Sequence, residues 1–137
     1  MVEVPVLKTE RLRLRGHQLE DFAACAGMWA DPVVTQHIGG RPLAEDESWT
    51  RLLRVAPWPK DAPEIGWVFV TQSHGKGYAT EAVRAAVAWG DEHFGARQTG
   101  CIIRPENLAS IRVAEKSGYR KFQDTTYKGQ PTLVFVR

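Results

Sequence analysis

The chain has 137 residues, 43% hydrophobic and 25% charged, with a net charge of +2. That length supports one domain around one core, the charge is too small to mark a nucleic-acid partner, and no apolar run approaches the ~20 residues that span a bilayer. Cys25 and Cys101 fit no metal-ligand spacing and no CxxC, and MVEVPVLKTE lacks the layout of a signal peptide, so a cytoplasmic protein with reduced thiols is expected.

Residues 10–15, ERLRLR, alternate charged with apolar. This predicts a strand with Leu12 and Leu14 on one face and Arg11, Arg13 and Arg15 on a solvated one. Between 20 and 30, Phe22, Ala23, Ala26 and Trp29 recur at helical spacing. Asp31-Pro32 stops that helix, because proline disfavours a helical residue before it. Residues 44–55 form a second predicted helix, with Trp49, Leu52, Leu53 and Val55 as its apolar side. Its first turn carries Glu45, Asp46 and Glu47, which suit the positive end of the helix dipole. APWPKDAP, residues 56–63, has three prolines in eight and reads as a linker.

EIGWVFV, residues 64–70, is mostly apolar, the pattern of a strand buried on both faces. The longest predicted helix, 76–94, lines up Ala79, Ala82, Val83, Ala86, Val87, Gly90 and Phe94 along one stripe. A short strand follows at 99–104 and a helix at 107–117, with Gly118 where a left-handed C-cap is wanted. Closing strands are expected at 119–123 and 132–136, joined by a turn at 128–131. Strands interspersed with helices indicate an α/β or α+β domain.

Between the apolar strand and the longest helix lies QSHGKGYATEA, residues 72–82. A strand-to-helix junction exposes unpaired backbone N–H groups and the positive end of the dipole, which together favour an anion. Gly75 and Gly77 let a ligand approach the main chain without a Cβ in the way, so a phosphate or pyrophosphate is the expected guest. A Walker loop requires GxxxxGK[ST], which the chain lacks. A dinucleotide fingerprint would place glycine where Thr80 stands and an acidic residue in the next strand, where TGCIIR has none. A glycine-rich turn that merely packs a helix on a sheet is the plain alternative. The four histidines show no HExxH or paired spacing, so no metal site is expected.

QxxGxG after a strand and before a helix resembles the acetyl-CoA pyrophosphate loop of the GNAT N-acetyltransferase superfamily. RPENLASIRVAEKSGYRKF, residues 104–122, resembles the later CoA-binding segment of its RimJ/RimL-like branch. TERLRLR, DPVVTQHIGGRPL and EIGW are similar to that branch as well, so the resemblance runs in order along nearly the whole chain. It implies a single GNAT-like domain over 1–137, of α+β (three-layer) class, with helices on both faces of a mixed twisted sheet. The implied reaction is transfer of an acetyl group from acetyl-CoA to a primary amine, directly in a ternary complex, without a metal. The acceptor implied is a protein N-terminal α-amine or a small amine.

Carried onto this chain, the resemblance gives main-chain groups of Val68, Phe69 and Val70 to pantetheine, one N–H facing the thioester oxygen. Gln72, Gly75, Lys76, Gly77, Tyr78, Ala79 and Thr80 would surround the pyrophosphate, and Asn107 and Ser110 would reach the pantetheine and thiol end. Glu64 is the candidate base, since desolvation at the head of a buried strand raises a carboxylate's pKa toward neutrality; a solvated strand end is the other reading. The tyrosine acid of many GNAT enzymes is replaced by Ala114. Ser110 is the substitute, and Tyr119 a more distant one.

The resemblance breaks at one place. In the family, two strands and their turn precede EIGW, whereas this chain has only VAPWPKDAP, so the N-terminal half is shortened near residues 57–63. The strand over 64–70 would then carry a free apolar edge, to be covered by the first strand moving in beside it or by another copy, and a homodimer through that edge is expected. Loss of the acceptor wall leaves open a noncatalytic acyl-CoA-binding module, and a purely structural domain is the third reading.

Overall fold

The computed structural model describes residues 4–53, 63–95 and 98–137. Their contacts divide them into two units, residues 4–53 with Val68–Tyr78, and residues 63–67 with those from 79 onward. The expected linker at 56–63 and the end of the second predicted helix fall outside the described residues, apart from Pro63.

In the first unit, β1 (Leu7–Lys8) pairs antiparallel with β2 (Arg13–Leu14), Leu7 facing Leu14. The strand expected over 10–15 shrinks to two residues. Residues 9–12 are taken up by a turn, in which Leu12 N–H donates to the Thr9 hydroxyl and Thr9 N–H to the Leu12 carbonyl, both at 3.0 Å. After a 3-10 turn at Leu19–Asp21 comes α1 (Phe22–Ala30). Asp31 ends it in an extended conformation, as its position before Pro32 requires. Proline also suits the first position of a helix, so a short α2 (Pro32–Thr35) starts at once, its cap formed by Asp31 Oδ1 accepting from Val33 N–H at 2.8 Å. The sequence reading saw only the stop.

Helix α3 (Glu45–Leu53) packs on α1, with the rings of Phe22 and Trp49 stacked at 3.6 Å and the Arg51 guanidinium 4.1 Å over Trp29. Ala44 has no side-chain oxygen with which to cap α3. Glu47 compensates by reaching back to accept from Ala44 N–H at 2.8 Å. Its ion pair with Arg41, then that N–H, hold its carboxyl down to about 2.

The second unit is built on a three-stranded antiparallel sheet in the order β3 (Gly100–Ile103), β5 (Gln130–Val136), β4 (Arg120–Tyr127). Cys101 faces Phe135 and Ile103 faces Leu133 across the ladder. With a period of two, these four side chains share one face, and all are buried. Val83 of α4 (Tyr78–Phe94), Ala114 of α5 (Leu108–Lys116) and Tyr119 complete this core, with Ile65, Trp67, Val87, Ile111 and Val113 packed around it. The hairpin turn is two residues long instead of the expected four. Lys128 (φ 50°) and Gly129 (φ 75°) are both left-handed, the requirement of a tight hairpin turn that matches strand twist, so β4 and β5 extend to Tyr127 and Gln130.

Helix α5 closes as its glycine predicts. Gly118 has φ 90°, Tyr119 N–H donates to the Ala114 carbonyl, and Gly118 N–H donates to that of Glu115. The strand expected over 64–70 is largely absent. Glu64 makes one parallel bridge to Gly100, and residues 65–70 join no ladder among the described residues. They are half-buried, apart from an exposed Gly66, and not enclosed on both faces. An apolar run favours burial, yet a strand also needs a partner whose N–H and C=O groups lie in register. The fold is thus α+β, with small sheets and interspersed helices.

Candidate cofactor loop and active site

The chain leaves Val70 through a 3-10 turn (Thr71–Ser73), passes His74 in extended conformation, and reaches Gly75. Gly75 (φ 72°) and Gly77 (φ 78°) both adopt the left-handed region, so glycine is required on either side of Lys76 for the chain to enter α4 at Tyr78. Helix α4 therefore begins at Tyr78, not Lys76. The first amides of a helix have no carbonyl one turn back to donate to, and those of Tyr78, Ala79 and Thr80 are such groups. Gln72, Gly75, Lys76 and Gly77 are exposed, while Tyr78, Ala79 and Thr80 are half-buried. Exposed amides, a positive dipole end, one lysine and two positions without Cβ suit a diphosphate.

Three side-chain contacts fix this loop. The Arg11 guanidinium donates from Nη1 to the Lys76 carbonyl at 2.8 Å and lies 4.8 Å from the centre of the Tyr78 ring. His74 Nε2 donates to the Phe69 carbonyl at 2.8 Å. The Thr71 hydroxyl donates to Asp31 Oδ2 at 2.6 Å, and this bond is the main cause holding the Asp31 carboxyl below its usual range, ahead of the Val33 N–H. The sequence reading missed Arg11, Asp31 and Thr71 as loop supports. Their partners lie up to 65 residues away, and no local pattern signals such pairings.

Of the main-chain groups expected to bind pantetheine, the Phe69 carbonyl already accepts from His74 and the Val70 carbonyl from Ser73 N–H at 2.9 Å. Pantetheine would add second bonds to these oxygens, or use the N–H groups of Val68, Phe69 and Val70.

Glu64 belongs to the second unit. Gly100 N–H donates to the Pro63 carbonyl and Ile65 N–H to the Gly100 carbonyl, each at 3.0 Å, which brings the Glu64 side chain into the sheet margin. Its Oε2 is shut off from solvent with no hydrogen-bond partner among the described residues, and desolvation raises its pKa. The nearby Cys101 thiol is pushed up to about 12, mainly by burial and then by the Glu64 charge, so it stays protonated at neutral pH.

Asn107 is the cap of α5 and not its first residue. Its Oδ1 accepts from Ser110 N–H at 3.2 Å, a bond worth ~1 kcal/mol to the helix start. Its amide nitrogen and the second lone pair of Oδ1 can still meet a ligand. Ser110 is half-buried in the first turn. Tyr119 is 1% exposed and shares a 2.8 Å hydrogen bond with Thr99, an interior position unsuited to a proton donor. The first unit thus gathers Val68–Val70, Gln72 and Gly75–Tyr78, while the second holds Glu64 beside Cys101, and Asn107 against Ser110. Among the described residues, no three His, Cys, Asp or Glu side chains gather as a metal site, and no helix is long and apolar enough to cross a membrane.

Known proteins resemble this chain in both sequence and fold. Residues 51–120 match the family model described as the acetyltransferase (GNAT) domain. The Bacillus subtilis protein YkkB is 42% identical over 77 residues, which are 54% of this chain and 43% of YkkB, so the chain spans less than half of that relative. The N-acetyltransferase p20 of Bacillus licheniformis is 24% identical over 146 aligned positions, covering 84% of this chain and 82% of p20. Among solved structures, a GNAT-family acetyltransferase from Bacillus anthracis superposes with a TM-score of 0.86 at 22% identity, covering 97% of this chain and 98% of the other. RimL, a ribosomal-protein α-N-acetyltransferase solved in complex with coenzyme A, superposes with a TM-score of 0.77 at 16% identity, covering 98% and 97%. A family model that takes in half of the chain, on a fold shared along nearly all of it, means that the chain belongs to the GNAT acetyltransferase family.

Proposed function

We propose that the chain, read over 1–137 as one domain, transfers an acetyl group from acetyl-CoA to a primary amine, directly in a ternary complex. The observation that carries this reading is the pair of left-handed glycines, Gly75 and Gly77, at the head of α4 inside the family-matched segment. Acetyl-CoA supplies the activated thioester. Gly75, Lys76, Gly77, Tyr78, Ala79, Thr80 and Gln72 hold its diphosphate, and main-chain groups of Val68, Phe69 and Val70 hold pantetheine. Glu64 takes the proton from the amine, and the raised pKa of its carboxyl favours that task near neutrality. An α-amine, with a pKa near ~8, suits such a base better than a lysine near ~10.4. The acceptor we favour is therefore a protein N-terminal α-amine, in keeping with the likeness to RimL. The high pKa of Cys101 speaks for direct transfer, without an acyl-thiol intermediate.

Ser110 donates a proton to the leaving thiolate. Ser110→Ala should lower kcat by ~10-fold or more while coenzyme affinity stays within ~2-fold, since a removed proton donor acts on turnover and not on ground-state binding. Equal turnover in the variant removes Ser110 from that role.

A second reading is favoured by one observation. The alignment with p20 runs over 146 positions while it takes in 84% of this chain, so p20 has residues there that this chain lacks, in keeping with a shortened chain. If the lost segment formed the acceptor wall, the protein binds acyl-CoA without using it. Calorimetry with coenzyme A and thiol release with a panel of amines separate the two. Heat and release support the enzyme, heat alone supports the module, and neither defeats both. The edge of residues 64–70, bridged only at Glu64 among the described residues, supports a homodimer, which light scattering tests; a monomer at high concentration ends that idea.

A further inference from the structure

Arg11 makes more contact with the glycine loop than a solvated strand residue should. Its Nη1 donates to the Lys76 carbonyl at 2.8 Å, its guanidinium lies 4.8 Å from the Tyr78 ring centre, and its Nη2 stands 3.3 Å from the place a Cβ on Gly77 would take. From these three contacts we infer that Arg11 is the positioning residue of the coenzyme loop, holding residues 75–78 in their anion-binding conformation before the coenzyme arrives and adding its charge beside the diphosphate. The inference rests on the acetyl-CoA reading for its ligand, but not for its effect on the loop.

The physical need is plain. Glycine loses more conformational freedom on ordering than any other residue, and two glycines flank Lys76. A loop that must order itself on binding gives up affinity, and one ordered beforehand does not. The Lys76 carbonyl is also a negative dipole end among amides that must face an anion. A charge-assisted hydrogen bond from Arg11 fixes that carbonyl and offsets its field. Only arginine offers a planar fork for the carbonyl together with a flat face for Tyr78, so lysine is a poor replacement.

Arg11→Gln and Arg11→Lys, in the full chain, test this. Arg11→Gln should weaken coenzyme A binding and raise the acetyl-CoA KM by ~10-fold or more, with kcat at saturation within ~3-fold and the amine KM within ~2-fold. Arg11→Lys should fall between, at ~3-fold or more. Without ligand, NMR order parameters of the backbone over residues 75–78 should fall in Arg11→Gln while those of β3 and β5 stay unchanged. Unchanged coenzyme affinity in Arg11→Gln, beside a wild type that binds the coenzyme, overturns the inference, and so do order parameters that fall across the whole chain. If the wild type binds no coenzyme, the acetyl-CoA reading falls. Lower order confined to 75–78 then still upholds Arg11 as the loop's support, and unchanged order overturns it. If neither variant folds, Arg11 is a stability residue and the inference is wrong.

Discussion

Alanine at position 77 will weaken coenzyme A binding by ~10-fold or more, because holding an L-residue in the left-handed region costs about 1–2 kcal/mol. Gly77 has φ 78°, and a Cβ there would meet Arg11 Nη2 at 3.3 Å. That nitrogen ends a flexible side chain, so the guanidinium can retreat, at the expense of its bond to the Lys76 carbonyl. Gly75, at φ 72°, has nothing among the described residues within 4 Å of its would-be Cβ. Gly75→Ala should therefore show the backbone effect alone and lose less affinity than Gly77→Ala. Because part of the Gly77→Ala effect acts through Arg11, its combination with Arg11→Gln should be less than additive. The melting temperature should fall by a few degrees in either single variant, on the order of the backbone strain. Calorimetric titration of the three variants checks the order, and equal affinity for Gly77→Ala and wild type would show that the loop holds no ligand.

Glu64→Gln should lower kcat by ~100-fold or more at neutral pH, the ordinary contribution of a positioned general base, while coenzyme affinity remains within ~2-fold. The sign of the pH dependence follows from burial. Desolvation raises the Glu64 pKa, so turnover in the wild type rises as pH passes upward through that raised value and the carboxylate forms. The variant should lose this limb of the profile. Stability runs the other way. A group whose folded pKa is raised lends stability that is complete below its unfolded pKa and is lost as pH climbs through the folded one. Glu64→Gln should therefore melt higher than wild type at pH 8, with the gap closing near pH 4. An Oε2 out of reach of water and without a partner among the described residues sharpens this expectation. A variant with wild-type turnover removes Glu64 as base, and one that melts lower at pH 8 shows that the carboxylate is held by a partner.

The sequence by itself determined the features that depend on short spacings. Gly75 and Gly77 announced a main chain without Cβ atoms ahead of α4, Gly118 the C-cap of α5, and Asp31-Pro32 the end of α1. The strands at 99–104 and 132–136 were legible as spans, and once they pair, a period of two sends Cys101, Ile103, Leu133 and Phe135 to one side. Such signals are local, with steric or periodic causes contained within a few residues.

Tertiary structure decided the rest. EIGWVFV reads as a strand because apolar residues seek burial, but only pairing makes a strand, and among the described residues Glu64 alone finds a partner. ERLRLR promised six extended residues, and a hydrogen-bonded turn at Thr9–Leu12 reduced them to two. Arg11 looked like one of three solvated arginines until the fold brought it to Lys76, and Asp31 like a helix stop until it met Thr71. The charge on a side chain is written in the sequence. The carbonyl or hydroxyl it serves is chosen by which distant segments the packing brings within three ångströms or so, the reach of a hydrogen bond.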